Sequence, residues 1–535
     1  MATYTQKQRN GLYELTDSAR AELVSSKYYN EDLAPTSVAE RTWTTYNISM
    51  LWVGMSICIP SLALASGCIS AGLSPWVSVL NVALGNLIIL VPIQLNSNIG
   101  TKYGIPFPLF ARMTFGTRGS HLPSLLRAFT ACGWCAVQAW VGGGAVAALI
   151  GIFGNRFGDL GWTMGLPSWG TFATGTLETV PIGTFIGYII FMAFIAWVAY
   201  KGIERIKWVQ NIGGPILIVV MIALLVWSAV QANANDFTFW EVMSQGGNDA
   251  SLEGSGFAQV FFFQLMGNMA FWATMALNIP DFSRYAKSQK SQFTGQLIGM
   301  PIPMAFCAFV GAYFAKTAEI VGYENPVNPG QPIFDPTYVF YFLDNKLIIL
   351  ITSIGVIMAT ITTCVAANVV APANGISNLA PRKISYKKGV IITVFIAFFI
   401  LQAWWIYGSG NAYFIWLNAY GTILAPVAAI FIADYFIVKK MRVDVAGLFV
   451  GEGSRYWYRN GINWAAVISW FVAFILPLMT YFGATGGFFT FVNTINYFWS
   501  FGIGFIVYII LMKTGLAGRS YVTDEEHEQF TERIS

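Results

Sequence analysis

Charged residues are scarce in this sequence. Asp, Glu, Lys and Arg make up only 10% of its 535 residues, whereas 56% of the residues are hydrophobic. Soluble globular proteins carry about 25% charged residues. The composition therefore excludes an ordinary soluble fold and predicts an all-α polytopic membrane protein embedded in a lipid bilayer. The formal net charge of +4 gives no reason to expect a nucleic-acid partner.

Residues that build metal and disulfide sites are also few. The only histidines are His121 and His527, which excludes a histidine-based metal site. All six cysteines fall inside predicted apolar helices, so no disulfide framework is expected. Cys132 and Cys135 have the spacing of a redox pair, but that motif needs a soluble βαβ setting, which a membrane helix does not offer.

Catalytic groups are missing from the apolar runs. These runs contain no nucleophile paired with a base, no acid–base pair and no metal cluster of the kind that an enzyme needs. A membrane-embedded enzyme is therefore not expected, and neither is an organic cofactor. No signal peptide is visible, because the first forty-five residues are polar and mixed in charge. The first membrane helix is expected to act as the insertion signal.

Long apolar runs are abundant, and they predict twelve transmembrane helices with no soluble domain between them. The predicted spans lie at about 46–72, 76–95, 123–153, 180–200, 208–231, 256–279, 295–320, 346–370, 389–407, 412–438, 461–483 and 490–512. We divide the chain into an N-terminal tail (1–45), a ten-helix core (46–440), a loop with two further helices (441–512) and a C-terminal tail (513–535). The long linkers at 154–179, 232–255 and 321–345 are predicted to be loops with room for short helices.

The basic residues predict the orientation of these spans. If the N-terminus is cytoplasmic, all but three of the 30 Lys and Arg residues fall on one side of the membrane, the exceptions being Arg156, Lys316 and Lys346. Lys and Arg are enriched in cytoplasmic loops. Both termini are therefore expected in the cytoplasm of a cell-membrane protein, which agrees with an even number of spans.

Two spans are interrupted in a similar way. The first contains Gly54, Ser56 and Pro60, and the sixth contains Gly267 and Asn268. Such residues free backbone groups in mid-span, which is tolerated where the backbone lines a cavity or binds a solute. The two spans lie five apart, and helices broken at matching places are typical of inverted-repeat transporters. Gly and Pro also occur in ordinary membrane helices.

The third span carries a candidate binding face. Trp134 and Gln138 lie four residues apart, on one side of a helix. The indole offers a flat surface and the amide offers two donors and an acceptor, so the pair suits a flat heterocycle. Each residue alone also has an ordinary role in packing or in bonding a neighbouring helix. No Lys, Arg, His, Asp or Glu lies near the middle of spans one, three, six or eight, which favours an uncharged ligand.

The eighth span carries candidate ligands for a cation and a substrate. Thr362 and Thr363 present adjacent hydroxyls, which with carbonyl groups from an unwound first helix would suit a small hard cation. Asn368 offers an amide to the edge of a substrate. The alternative is that the threonine hydroxyls bond to the preceding turn of their own helix.

Several segments taken together resemble one family. They are Gly100–Pro108, Leu126–Phe129 followed by Trp134 and Gln138, Asn278–Tyr285, Ala366–Asn368 and Ala433–Phe436. From Arg41 to Met512 the sequence resembles the nucleobase–cation symporter family 1, in its hydantoin, allantoin and uracil permease branch. The resemblance implies a ten-helix core of two five-helix inverted repeats (5+5, LeuT-like), plus two C-terminal helices.

The resemblance also implies a substrate site. Two tryptophans sandwich the ligand ring in the structurally known hydantoin member, and they match Trp134 and Trp272. The glutamine and asparagine of that site match Gln138 and Asn368. Phe271 stands where that member has a glycine, so the shape of the pocket is expected to differ. Cys58 likewise stands where it has a glutamine, which argues against hydantoins themselves as the ligand.

The implied sodium site takes carbonyl groups from the first and eighth helices and two hydroxyls from the eighth. The matching residues are Gly54, Ile57, Ala359, Thr362 and Thr363. Both hydroxyls are present, which favours Na⁺ over protons as the coupling ion.

The resemblance therefore predicts a secondary active transporter, acting as a monomer. It would import a neutral planar nucleobase or ureide, such as uracil or allantoin, by cation symport with alternating access. The alternatives left open are a proton-coupled or facilitative permease for cytosine, a purine, a hydantoin or a thiamine-like compound. A channel or a non-transporting receptor is a more distant alternative.

Overall fold

The computed structural model of the chain describes most of its residues. The described ranges are 5–7, 11–154, 156–168, 175–200, 203–245, 255–325, 333–343, 345–380 and 383–517, and the side chains at 5–7, 32, 203–217, 255, 366, 374 and 378 are outside the description. Helices dominate, because a chain that crosses a bilayer must satisfy its backbone hydrogen bonds internally.

The first half of the chain runs from a short amphipathic helix to the second broken span. Its helices are α1 (Asp17–Leu23), α2 (Thr45–Ser56), α3 (Ile59–Ser70), α4 (Pro75–Tyr103), α5 (Phe107–Phe115), α6 (His121–Gly151), α7 (Ile182–Tyr200), α8 (Ile203–Ala234), α9 (Phe239–Ser244), α10 (Ser255–Ala270) and α11 (Ala273–Asn278).

The second half contains the remaining helices. They are α12 (Pro280–Ser283), α13 (Gln289–Gly299), α14 (Pro301–Val321), α15 (Lys346–Thr363), α16 (Ala371–Leu379), α17 (Tyr386–Phe399), α18 (Ala403–Ile406), α19 (Gly410–Ile432), α20 (Trp464–Leu478), α21 (Gly487–Thr494) and α22 (Asn496–Lys513). Two π-helical turns, Cys364–Val370 and Ala433–Val438, continue α15 and α19. The short 3₁₀ segments are Glu31–Leu33, Val38–Glu40, Arg156–Gly158, Pro336–Tyr341, Ala446–Phe449 and Met479–Phe482.

Two small antiparallel hairpins lie outside the helices. Strands β1 (Thr5–Lys7) and β2 (Tyr13–Leu15) pair near the N-terminus. Strands β3 (Thr163–Leu166) and β4 (Glu178–Pro181) pair from Thr163 opposite Pro181 to Leu166 opposite Glu178. The linker after the third span therefore contains a hairpin, where the sequence predicted a loop with short helices and no strands.

The number of membrane spans is confirmed in part. Among the described residues, eight helices are long and apolar enough to cross a bilayer, and the bent pair α2 and α3 raises the number to nine. Helices are also present in the predicted fifth, sixth and ninth spans, as α8, α10 with α11, and α17. The count of twelve and the five-plus-five repeat stay predictions.

Spans one and six are both interrupted, as predicted, but in span six the break comes after Gly267, which lies within α10. Helices α2 and α3 are bent by 54° at their junction, where Cys58 is extended with φ −150° and ψ 162°. Pro60 is the second residue of α3, and its missing N–H cannot continue the hydrogen bonds of α2. The sixth span breaks between Ala270 and Ala273, with Trp272 at φ −102° and ψ 9°.

The most enclosed helices are α6 and α19. In each of these spans 83% of the apolar window is buried, against 28% for the span that begins with α20 and 33% for α22. Glycine allows the close packing of α6 on α7, because a Cβ at Gly143 would overlap the backbone of Tyr188. The two broken spans therefore face a rigid central helix, and the last two spans lie at the periphery.

Candidate binding site between two broken helices

A small central cavity lies where the breaks in spans one and six face α6 and the first π-helical turn. Its free volume is about 30 Å³. A water molecule needs roughly 10–15 Å³ of such volume, so this central cavity is narrower than a heterocycle. Its walls are formed by Met55, Cys58, Trp134, Gln138, Phe271, Trp272, Thr274, Met275, Thr363, Ala367 and Asn368.

The structure brings all five predicted substrate residues to this one cavity. Trp134 and Gln138 come from α6, Phe271 and Trp272 from the break between α10 and α11, and Asn368 from the π-helical turn. Each is less than 10% exposed to solvent. Residues distant in sequence therefore form a single enclosed set of aromatic rings and amides.

Trp134 is fixed by contacts on two sides. Its Nε1 donates to the hydroxyl of Tyr420 at 3.2 Å, and that hydroxyl donates in turn to the carbonyl oxygen of Ala270 at 2.8 Å. The ring of Trp416 meets the indole at 5.0 Å and 66°. One phenol therefore joins the indole of α6 to the last carbonyl group before the break in span six.

Trp272 is fixed by an amide of α4. Its Nε1 donates to Oδ1 of Asn86 at 2.7 Å, and Nδ2 of Asn86 donates to the carbonyl oxygen of Val82 at 2.7 Å. The indole also meets the ring of Trp52 edge-on at 5.1 Å and 69°. Because the N–H is already used, Trp272 presents its ring rather than a donor to the cavity.

Phe271 lies between these two tryptophans. Its ring centroid is 4.8 Å from that of Trp134 at 73°, and 5.0 Å from that of Trp272 at 80°. Edge-to-face contacts of this kind are favourable for aromatic pairs. The expected sandwich therefore contains the phenyl ring of the chain itself, which supplies the dispersion contacts that a gap between the indoles would lack.

The amides of the cavity leave hydrogen-bonding capacity unused. Gln138 is 3% exposed, and its Oε1 is buried without a hydrogen-bond partner among the described residues. Leaving such a group unpaired costs about 1–3 kcal/mol. Asn368 lies in a π-helical turn, a feature that often occurs at functional sites. A ligand with N–H and C=O groups on one edge matches this pair.

Four of the five predicted cation ligands are joined by hydrogen bonds. Oγ1 of Thr363 donates to the carbonyl oxygen of Gly54 at 3.0 Å, and it lies 3.3 Å from that of Ala359. Oγ1 of Thr362 donates to the carbonyl oxygen of Ala359 at 2.6 Å. The alternative of bonding within the eighth helix is therefore present, and Thr363 also bonds a carbonyl group of the first helix. Ile57 follows the end of α2 with ψ 93°.

The break in span one explains why Gly54 is available. In an unbroken helix its carbonyl oxygen would accept from the amide of residue 58, but Cys58 is extended. The freed carbonyl group turns to Thr363 instead. Carbonyl and hydroxyl oxygens are the ligands that hard cations prefer, so these groups suit Na⁺ once the hydroxyls rotate to present their lone pairs.

Two residues that hold the tryptophans escaped the sequence analysis. Tyr420 lies on α19 and Asn86 on α4, and neither belongs to the four spans that the sequence marked as binding elements. A buried Asn in an apolar helix is a weak signal for a partner on another helix. For Tyr420 no local pattern points to its role, because its two partners are distant in sequence.

The comparisons with known proteins agree with this arrangement. Residues 35–504 match the model of a family described as permeases for cytosine/purines, uracil, thiamine and allantoin. The chain belongs to this permease family. It is therefore a multi-pass membrane transport protein, and its family consists of permeases rather than enzymes.

Relatives cover nearly the whole chain. The purine-uracil permease NCS1 of Arabidopsis thaliana is 33% identical over 496 residues, which are 91% of this chain and 78% of that protein. The allantoin permease of Bacillus subtilis is 31% identical over 508 residues, which are 94% of this chain and 97% of that protein. The similarity to these relatives therefore extends over the full length of the transport core.

A solved structure supports the fold. Mhp1, a nucleobase-cation-symport-1 family transporter in a closed conformation with bromovinylhydantoin bound, superposes with a TM-score of 0.72 at 23% identity. The match covers 95% of this chain and all of that one. The permease therefore has the Mhp1-type fold, in which helices are packed around a central site.

Proposed function

We propose that the permease imports a neutral planar nucleobase or ureide, such as uracil or allantoin, by symport with a cation, and that the cation is Na⁺. The observation that carries this proposal is the central cavity, where Trp134, Trp272, Gln138 and Asn368 meet beside the contact between Thr363 and Gly54. The protein acts as a monomer in the cell membrane with both termini in the cytoplasm.

The chemistry of the cavity favours this class of solute. Its walls are aromatic rings and neutral amides, which stack a flat ring and hydrogen-bond its edge. None of the described residues that line it has a charged side chain. A carboxylate or phosphate would therefore meet no fixed countercharge there, whereas an imide or ureide edge would satisfy Oε1 of Gln138.

Coupling to the cation follows from one shared residue. Thr363 lines the central cavity and also contacts Gly54 of the first helix. A cation held by these oxygens would join α2 to α15 and fix the wall against which the solute binds. By linkage, cation and solute raise each other's affinity by the same factor, typically about 5–150-fold. Alternating access then follows from the core bundle rocking against the other helices.

The test is uptake of radiolabelled uracil and allantoin into vesicles that contain the purified protein. We expect uptake driven by an inward Na⁺ gradient, with K⁺ ineffective. Trp134→Ala should abolish uptake, whereas Trp197→Ala, which alters a 52% exposed tryptophan of α7, should not. Uptake driven by a pH gradient in the absence of Na⁺ would show that the coupling ion is a proton. Normal uptake by Trp134→Ala would refute the proposed binding site.

A further inference from the structure

A second, larger cavity lies near the end of α6 that carries Gly151. Its volume is about 640 Å³, and α6, β4, the 3₁₀ segment Pro336–Tyr341 and the chain around α18 surround it. The basic connection between spans two and three adjoins the opposite end of α6. This outer cavity therefore opens on the face that the distribution of basic residues predicts to be extracellular.

The outer cavity lies in line with the central one. Gln264 lines it from α10, seven residues or about two helical turns before Phe271. Phe334 lines it as well, and its ring is 5.5 Å from that of Tyr413. The ring of Tyr413 in turn is 6.1 Å from that of Trp134. One tyrosine ring thus stands between the two cavities.

The most unusual group of the outer cavity is a buried carboxylate. Asp335 is 5% exposed, and its Oδ1 accepts hydrogen bonds from the amide and the hydroxyl of Thr337, both at 2.8 Å. Among the described residues no donor reaches Oδ2. A buried carboxylate is stabilised by further hydrogen bonds, so Oδ2 is an acceptor in need of donors.

Other groups around Asp335 suit a flat polar ligand. The amide of Gln264 lines the cavity, and its Oε1 has no hydrogen-bond partner in the part of the chain that the structure describes. Within the same residues the hydroxyl of Tyr407 is also buried without a partner, and its phenol lies within electrostatic range of Asp335. Trp140 adds an indole to the wall. The set combines aromatic surface with acceptors, as the central cavity does, and adds the carboxylate of Asp335.

We propose that the outer cavity is a second binding site, at which an uncharged heterocycle or ureide donates adjacent N–H groups to Asp335 and packs against Trp140. The proposal rests on the proposed function for its class of solute. Hydrogen bonds to a charged acceptor are roughly twice as strong as neutral ones, so the carboxylate selects solutes rich in N–H groups. A solute held here waits outside Tyr413 until the central site opens.

The experiment is equilibrium binding of radiolabelled allantoin and, separately, uracil to the purified full-length protein. We expect two molecules per wild-type chain for at least one of these probes. Asp335→Asn keeps Oδ1 for Thr337 but replaces the free oxygen with a donor, so the number should fall to one. Trp134→Ala should retain only the outer molecule, and the double variant should retain none.

Two further variants separate the site from general effects of charge or folding. Glu178→Gln neutralises the other carboxylate of the outer cavity, which already accepts from Ser168 at 2.9 Å, and should leave two molecules bound. Gln264→Ala leaves the Asp335 turn intact and should weaken the outer molecule at least fivefold. Thermal unfolding of each variant checks that it is folded.

The outcomes distinguish this inference from the proposed function. If the wild-type protein binds one molecule of the probe per chain and Trp134→Ala binds none, the outer site is overturned and the central site stands. If Asp335→Asn still binds two molecules of the probe, the outer site is overturned as well. This holds even if the variant changes how binding depends on Na⁺. If neither probe binds the wild-type protein, the proposed substrate class fails and the outer site fails with it.

Discussion

The hydroxyl of Thr363 donates to the carbonyl oxygen of Gly54 at 3.0 Å, across the interface between the broken first span and the eighth. The same threonine forms part of the wall of the central cavity. A single side chain therefore contacts the other proposed cation ligands and lines the proposed solute site. This arrangement gives ion coupling a short physical route, because any movement of the Thr363 side chain changes both places together.

Removing this hydroxyl should uncouple the two ligands. Thr363→Val keeps a β-branched side chain but deletes the oxygen, and we expect it to abolish the effect of Na⁺ on solute affinity. The wild-type protein should bind solute about 5–150-fold more tightly in Na⁺ than in K⁺. Equilibrium binding in the two salts measures the difference.

Thr363→Ser is the matched control, because it retains the hydroxyl and should retain most of the Na⁺ effect. If Thr363→Val still binds solute more tightly in Na⁺ by the wild-type factor, the cation does not use this residue.

Phe271 should control which solutes fit. Its ring fills the space between Trp134 and Trp272, so Phe271→Ala is expected to widen the cavity. Affinity for solutes with bulky ring substituents should rise, and affinity for the smallest rings should fall as stacking contacts are lost. Competition assays with a graded series of substituted hydantoins and uracils measure this change.

Phe262→Ala is the control for this experiment, because Phe262 lies on α10, in the same broken span as Phe271, and is 39% exposed. It should leave the ranking of solutes unchanged. An unchanged ranking in Phe271→Ala would show that the phenyl ring does not limit the pocket.

The substrate residues that the sequence analysis named meet at the central cavity, and part of the reason is local. Pro60 lies just after the break in span one, because its missing N–H cannot continue a helix. Gly267 lies within α10, and the break in span six comes after it, between α10 and α11. The pair Trp134 and Gln138 is visible from helical periodicity. The family resemblance then supplied the positions on the sixth and eighth helices.

The features of the site that the sequence analysis missed depend on tertiary contacts. The bond from Trp134 to Tyr420 and the position of the Phe271 ring arise when α6, α10 and α19 pack together, and no pattern in any one helix encodes them. The outer cavity likewise needs Asp335 and Gln264, which come from a loop and a helix far apart in sequence.

Tyr420 should position the indole of Trp134 without touching the solute. Tyr420→Phe removes the hydroxyl that links Trp134 to the carbonyl oxygen of Ala270. A hydrogen bond of this kind contributes roughly 0.5–1.5 kcal/mol, so solute affinity should fall about threefold to tenfold. Tyr497→Phe is the control, because the hydroxyl of Tyr497 is buried and bonds to none of the described residues. Equal affinities in the two variants would contradict the positioning role.

Binding at the outer cavity should weaken in acid. Burial raises the pKa of Asp335 to about 6, although the hydrogen bonds from Thr337 act in the opposite direction. Below this pH the carboxyl group is protonated and loses its strength as an acceptor. In Trp134→Ala, which isolates the outer molecule, affinity should therefore fall as the pH drops from 7.5 to 5, and adding Asp335→Asn should remove what binding is left.

The stability of the ligand-free protein should increase in acid, whereas the affinity of the outer cavity for its ligand decreases. Because the pKa of Asp335 is higher in the folded protein than in the unfolded chain, where an aspartate titrates near 3.9, the folded state binds the proton more tightly. The protonated carboxyl group of Asp335 therefore stabilises the folded state below about pH 4, and this stabilisation is lost as the pH rises to about 6.

The melting temperatures of wild type and Asp335→Asn, compared across that pH range, isolate the contribution of Asp335. Glu178→Gln, which alters a carboxylate of the same cavity, serves as the reference. If the two variants show the same pH dependence as wild type, Asp335 does not titrate in this range and the acid sensitivity of the outer cavity must have another origin.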